Sequence, residues 1–130
     1  MRSRLATPST TRAVLEEFGL ATKHRLGQNF LVNDAIIEKI CDLAELGPDD
    51  VVLEVGPGIG TLTVAMLEAC SAVVSLEADH ELEQVLASTC ARDSEKFALL
   101  MGDALRFAPG DVADAVASLG EVPAAAMPNK

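Results

Sequence analysis

Three short apolar runs lie after residue 50, none with the helical rhythm of apolar residues every three or four positions: Val51-Val52-Leu53-Glu54-Val55, Val73-Val74-Ser75-Leu76-Glu77 and Phe97-Ala98-Leu99-Leu100-Met101. The first, rich in aliphatic residues and bounded by Gly56-Pro57, predicts a strand buried on both faces, as in a parallel sheet, and the other two read as strands of the same kind. Between them the period becomes helical. Leu62, Ala65, Met66 and Ala69 share a face after Thr61; Leu82, Val85, Leu86 and Cys90 do so after Asp79 or His80; an alanine-rich helix is predicted over 111–119. Upstream, Thr7-Pro8 starts a helix that presents Val14, Leu15 and Phe18 inward and stops at Gly19. Asn33 caps another, carrying Ile36, Ile37, Ile40, Leu43 and Ala44 to its end at Gly47-Pro48. The stretch between these helices has the composition of a loop, and Ala124-Ala125-Ala126-Met127 is read as the start of a fourth strand. Alternating strands and helices predict an α/β domain with a parallel sheet and right-handed crossovers. A doubly wound sheet of four strands at most is a truncated one, with an edge lacking its neighbour.

The turn between the first strand and its helix carries the first chemical signal. Gly56, Gly58 and Gly60 alternate in E-V-G-P-G-I-G, one residue tighter than the dinucleotide fingerprint G-x-G-x-x-G. Glu54 stands two residues ahead of the first glycine, where it would repel a pyrophosphate and suit a cationic ligand. The alternative is a glycine-rich loop common to any doubly wound domain. Ligands of parallel sheets collect at the carboxyl ends of the strands, and an acid stands at each such end: Glu54, Glu77 and Asp103. Glu77 lies 21 residues after Gly56, a position from which an acid accepts both ribose hydroxyls. Gly102-Asp103 taken alone reads more readily as a turn.

Composition narrows the picture. The chain has 130 residues, enough for one domain, and a net charge of −10. The excess acid lies after residue 40: residues 1–40 hold six Lys/Arg against four Asp/Glu, and the remainder four against sixteen. A free-standing nucleic-acid binder usually shows a basic footprint, present here only weakly at the start. There is no run long enough for a membrane span and no apolar segment typical of a secretory signal. Cys41, Cys70 and Cys90 are an odd set without metal-ligand spacing, read as reduced, buried fillers in a cytoplasmic protein. His24 and His80 have no partners at ligand spacing, so no metal site and no catalytic histidine are assigned.

His24-Arg25-Leu26-Gly27-Gln28-Asn29-Phe30-Leu31 precedes a helix, then E-V-G-P-G-I-G, then the acid Glu77, then Gly102-Asp103-Ala104. In this order the motifs resemble those of the ribosomal RNA adenine N6,N6-dimethyltransferases, the housekeeping small-subunit enzymes and their erythromycin-resistance relatives, over about residues 7–130. The resemblance implies a Rossmann-like fold that binds S-adenosyl-L-methionine, truncated after about four parallel strands. Residues 1–50 would form N-terminal helices and the segment closing over the cofactor, residues 51–130 an incomplete cofactor-binding domain. The family's C-terminal helical RNA-binding domain is not in this sequence.

By the same resemblance Gln28, Asn29 and Phe30 contact the methionine part of the cofactor, and Glu54, Gly56 and Gly58 border methionine and ribose. Glu77 takes the ribose hydroxyls and Asp103, with Ala104 after it, the adenine amino end. Ala78 stands where the family often has a larger aliphatic residue against the adenine. Lys23-His24-Arg25 is a candidate contact for RNA phosphates, the alternative being a solvated loop. The implied reaction is methyl transfer to adenine N6 on adjacent adenosines of small-subunit ribosomal RNA during ribosome biogenesis. The implied partner is that RNA or its precursor subunit, and the implied protein a cytoplasmic monomer. The family motif N-L/I-P-Y/F, which holds the target base, does not occur here; Pro128-Asn129-Lys130 is not it. The chain alone is therefore expected to be catalytically inert. Competing readings are a non-catalytic RNA-binding or ribosome-assembly factor, a large-subunit resistance methylase, and a nicotinamide oxidoreductase.

Overall fold

A computed structural model describes residues 2–28, 30, 33–119 and 127–130. Its centre is a parallel sheet of β1 (Val51–Val55), β2 (Ala72–Glu77) and β3 (Phe97–Met101), in that spatial order. The register pairs Val51 with Ala72 and Glu54 with Ser75, then Val73 with Phe97 and Glu77 with Met101. Around it lie α1 (Pro8–Glu17), α2 (Lys23–Leu26), α3 (Asp34–Leu43), α4 (Thr61–Ala69), α5 (Glu83–Thr89) and α6 (Pro109–Ala117).

Because partners in a parallel register share a face, alternation along the strands sorts their side chains into two layers. Val52, Val73, Phe97 and Leu99 pack on the first face with Leu15 of α1, Ile37 and Cys41 of α3, Leu67 of α4, and Val85 and Leu86 of α5. Val51, Ala72, Val74, Leu76, Ala98 and Leu100 form the second face, covered by Val112, Ala115 and Val116 of α6. The N-terminal helices thus share one core with the strand–helix repeat.

Local chemistry explains the helix starts. Thr7 accepts a hydrogen bond from the Thr10 N–H and Pro8 opens α1; Asn33 accepts from the Ala35 N–H at the start of α3. Asp79 caps a single 3₁₀ turn, His80–Leu82, that leads into α5. One expected loop is in part helical: Thr22 accepts from the Arg25 N–H, and Lys23–Leu26 forms a full turn. Loop composition gave no hint of it, because the turn is stabilised by the cap and by Arg25's distant partners.

Burial on both strand faces holds for β2, whose six residues are all buried, but not for β1. Leu53 and Val55 are exposed, Val55 at 64%, because α6 packs over β2 and β3 and leaves the second face of β1 open. The inward face of α3 is also narrower than the isoleucine pattern suggests. Ile37 and Cys41, one turn apart, are buried, whereas Ile36 is exposed and Leu43 is 76% exposed. Conversely α4 is buried nearly all round, including Thr61 and Thr63, since it is covered by neighbours beyond the sheet.

Of the expected fourth strand, Ala124–Ala126 lies outside the described residues. Beyond them, Lys130 donates its N–H to the Val51 carbonyl (3.3 Å) and accepts from the Leu53 N–H (3.2 Å), the parallel pairing pattern. The Asn129 carboxamide oxygen accepts from the Val51 N–H, and its amide donates to Asp50.

Replacing Ile37 by Ala should cost about 2–5 kcal/mol of unfolding free energy, as for other buried aliphatic truncations. Leu43→Ala should stay within about 0.5 kcal/mol. Urea denaturation followed by circular dichroism compares them, and equal losses would contradict the observed face of α3.

Candidate functional site

Glu54 and Glu77 reach one site because of the register. Glu54 pairs with Ser75, and Glu77 follows two residues later, so all three side chains leave the same face of the sheet near the carboxyl ends of its strands. Glu54 is buried. Its Oε1 accepts two hydroxyl hydrogen bonds, from Thr63 on α4 (2.6 Å) and from Ser75 on β2 (2.8 Å). Burial raises the carboxyl's pKa above the ordinary glutamate value of 4.5, the two hydroxyls pull it down, and the nearby Glu77 charge adds to the rise. Among the described residues the Oε2 atom has no hydrogen-bond partner, and Glu54 lines the cavity described below.

Glu77, also buried, is held between two turns. Its Oε1 accepts from the Gly58 N–H (3.3 Å) and its Oε2 from the Asp79 N–H (3.0 Å). An ionised carboxylate has about four acceptor positions, so about two remain for a ligand. The sheet ladder continues past the strands on either side of it, with the Gly56 N–H donating to the Leu76 carbonyl and the Gly102 N–H to that of Glu77.

The glycine turn needs its glycines for two different reasons. Gly58 has φ +62°, and a Cβ there would lie 3.3 Å from the Phe30 ring, so its bareness brings the N-terminal arm against the turn. Gly60, at φ +95°, would drive a Cβ to 2.9 Å from the Thr89 hydroxyl and against Leu86 of α5; it is a packing glycine. Without a side chain it also cannot cap α4, which starts at Thr61. The buried Thr61 Oγ1 has no hydrogen-bond partner.

These groups surround a cavity of about 500 Å³, within the range of small-molecule sites. Gln28, Phe30, Glu54, Gly56, Gly58 and Glu77 all line it, together with Arg25, Val55, Pro57, Thr61, Leu62, Asp79 and Leu82. The glycine turn, two of the three strand-end acids and the N-terminal arm are therefore brought to one place. Asn29 lies outside the described residues. Ala78 is exposed and does not line the cavity. Asp103 is exposed and caps the turn after β3, its Oδ1 accepting from the Leu105 N–H (2.9 Å), while Ala104 lines a separate hollow with Phe107 and Val112.

Several site residues were not singled out from the sequence for the part they take here. Thr63 and Ser75 support Glu54 from below, and the signal for Ser75 was a polar residue interrupting an apolar strand in register with an acid. Thr61 and Asp79 were read only as helix-start residues. Arg25 was grouped with Lys23 and His24 as a candidate phosphate contact, and here the structure corrects the reading. Lys23 and His24 are exposed, but the Arg25 side chain is 9% exposed and its charge is taken up by ion pairs to Asp79 (2.5 Å) and Glu81 (3.0 Å). The Asp79 bond, with Glu81 adding to it, raises the guanidinium pKa against the effect of burial, and Arg25 in turn lowers that of Asp79.

Chemically, the wall presents three carboxylates, Glu54, Glu77 and Asp79, against one guanidinium already engaged by acids. That balance disfavours a pyrophosphate and suits a ligand carrying positive charge. The cysteines contribute no nucleophile: all three are buried and free, with Cys70 and Cys90 pushed up to about 11 by burial and Cys41 raised as well. Among the described residues no cluster of His, Cys, Asp and Glu could hold a metal ion, and no helix is long and apolar enough to cross a membrane.

The raised Glu54 pKa has a testable consequence. A protonated Glu54 favours the fold fully below the ordinary value of 4.5, and this contribution is lost as pH rises through the raised folded value. Glu54→Gln keeps an oxygen for both hydroxyls and cannot ionise. Its melting temperature relative to the native chain should rise from pH 4 to pH 7.5; a pH-independent difference would refute the raised value.

Comparison with known proteins places the chain in a family. The family model described as ribosomal RNA adenine dimethylase matches residues 19–125. Curated relatives include the ribosomal RNA small subunit methyltransferase A of Moorella thermoacetica, 44% identical over 78% of this chain, and that of Staphylococcus haemolyticus, 46% identical over 69%. The chain spans 35% and 30% of their respective lengths, about a third. Among solved structures, the 23S rRNA methyltransferase ErmE is 26% identical with a TM-score of 0.57, over 72% of this chain and 45% of that one. A dimethyladenosine transferase from Plasmodium falciparum is 28% identical with a TM-score of 0.54, over 58% and 28%. The fold is the parallel α/β fold of these methyltransferases, represented here by its N-terminal part. With the family model covering most of its length, the chain belongs to the ribosomal RNA adenine dimethylase family.

Proposed function

We propose that this chain is the cofactor-binding portion of an S-adenosyl-L-methionine-dependent enzyme that dimethylates N6 of adjacent adenosines in small-subunit ribosomal RNA, in the cytoplasm, during ribosome biogenesis. The observation that carries the reading is the buried Glu54 carboxylate beside Glu77, at a glycine turn against which Phe30 packs. The small-subunit assignment is supported by relatives at 40–46% identity, all named ribosomal RNA small subunit methyltransferase A, against 26% for ErmE. An RNA methyltransferase of related fold from Salinibacter ruber was crystallised with S-adenosyl-L-homocysteine.

The residues present fit this cofactor. When bound it supplies a methyl group on a cationic sulfur, open to attack by a weak nucleophile. Glu54, in a water-poor setting where its charge acts strongly, faces the positive end. Glu77 offers its remaining acceptor positions to the ribose hydroxyls. Gly56 and Gly58 permit close backbone approach, and the buried Thr61 hydroxyl offers a further polar contact. Gln28 and Phe30 cover the methionine end, a role the family resemblance extends to Asn29. The adenine end is assigned to the β3 side, where Ala78, Asp103 and Ala104 stand. Residues 1–50 supply the covering arm and 51–130 the strand-end site, while the N-L/I-P-Y/F motif lies outside these 130 residues.

Isothermal titration should show S-adenosyl-L-homocysteine binding with no binding of NADH; the reverse would replace this reading with an oxidoreductase. Glu77→Ala removes charged acceptor bonds and should weaken that binding about ten-fold or more. Unchanged affinity would remove Glu77 from the ribose.

A further inference from the structure

Arg25 and Asp79 are 54 positions apart, yet they join the N-terminal arm to the turn after β2. Among the described residues, the ion pairs between residues distant in sequence are both made by Arg25; the others link neighbours on single turns, Arg12 with Glu16 and Arg106 with Asp103. A guanidinium this buried needs partners to offset its desolvation, and its planar fork suits two carboxylates at once.

The bonds continue from this pair into the cavity on both sides. Asp79 Oδ2 accepts from Arg25, its Oδ1 accepts from the Glu81 N–H, and its own N–H donates to Glu77 Oε2. Glu77 Oε1 in turn accepts from Gly58. On the arm, the Arg25 carbonyl accepts from the Gln28 N–H (3.2 Å), the Arg25 Nη1 reaches the Gln28 Oε1 (3.5 Å), and the Gln28 carbonyl accepts from the Phe30 N–H. One buried cation thus stands between the acid assigned to the ribose and the residues assigned to the methionine end.

We infer that Arg25 is a positioning residue of the cofactor site, fixing the Glu77 carboxylate through Asp79 and the Gln28–Phe30 arm through its own turn. The inference rests on the cofactor reading above. Arg25 does this without touching the ligand, its charge being taken up by Asp79 and Glu81. Its removal would also leave Glu77, Asp79 and Glu81 as three acids within five residues, repelling one another where the ribose is bound.

The test uses two probes on the 130-residue chain: S-adenosyl-L-homocysteine, and 5′-methylthioadenosine, which keeps ribose and adenine but lacks the amino acid. Arg25→Met should weaken both about ten-fold. Asp79→Asn, at a residue whose side chain is 35% exposed and whose capping oxygen the amide retains, should act in the same direction if Arg25→Met fails to fold. Glu81→Gln, whose side chain has no bond to Glu77, should change either affinity less than about two-fold. In a Glu77→Gln background, Asp79→Asn should cost no more than about two-fold further, because the residue it positions is already altered. A purely structural role would instead give additive losses.

In the ligand-free chain, carboxyl-detected NMR should find that Asp79, which titrates below its ordinary value of 3.8, moves back toward it in Arg25→Met. Arg25→Met and Asp79→Asn variants that match the native chain with 5′-methylthioadenosine, or additive losses with Glu77→Gln, overturn the positioning role alone. A native chain that binds neither probe overturns the cofactor reading and this role with it.

Discussion

A carboxylate enclosed in protein, its Oε1 held by two hydroxyls, is the constraint on which the rest of this structure depends. Burying Glu54 costs free energy unless its oxygens are hydrogen-bonded, and that requirement reaches into three elements. β1 supplies the acid, β2 supplies Ser75 directly beside it, and α4 supplies Thr63. The three hold together only in the observed parallel register and with α4 seated on that face. A slip of one residue would turn Ser75 to the opposite layer and leave the carboxylate with a single support.

The cavity is assembled around this acid by close approach rather than by an extensive interface. Gly58 lets the Phe30 ring meet the turn, and Gly60 lets α4 meet α5. Arg25 adds a polar tie between the same two regions, with its charge matched by two acids. The site therefore combines a rigid floor, set by the strand ends, with a wall brought in from the first thirty residues. Both belong to one core, since Leu15 and Ile37 pack with Val73 and Leu67.

The second face of the sheet is less complete. α6 covers β2 and β3, Leu53 and Val55 stay exposed on β1, and the last residues pair with the β1 edge through Lys130.

Much of this was written in the order of the residues. The three strands, five of the six helices, the caps at Thr7 and Asn33 and the glycine turn follow from local rules, apolar period and capping chemistry. The meeting of Glu54 with Glu77 follows from the tendency of parallel strands to gather ligands at one edge; the approach of Gln28 and Phe30 to these acids is implied only by the family resemblance. The rest needed the fold, because it depends on which neighbours arrive. Whether Ile36 or Cys41 turns inward is set by where α3 meets the core, and whether Val55 is covered by how far α6 extends. The sequence alone placed Arg25 in a basic run; only the folded chain, bringing acids from 54 and 56 positions away, made it an internal counter-charge. A hydrophobic period reports what a segment can bury, whereas a charge acquires its role from the partners that tertiary contacts bring to it.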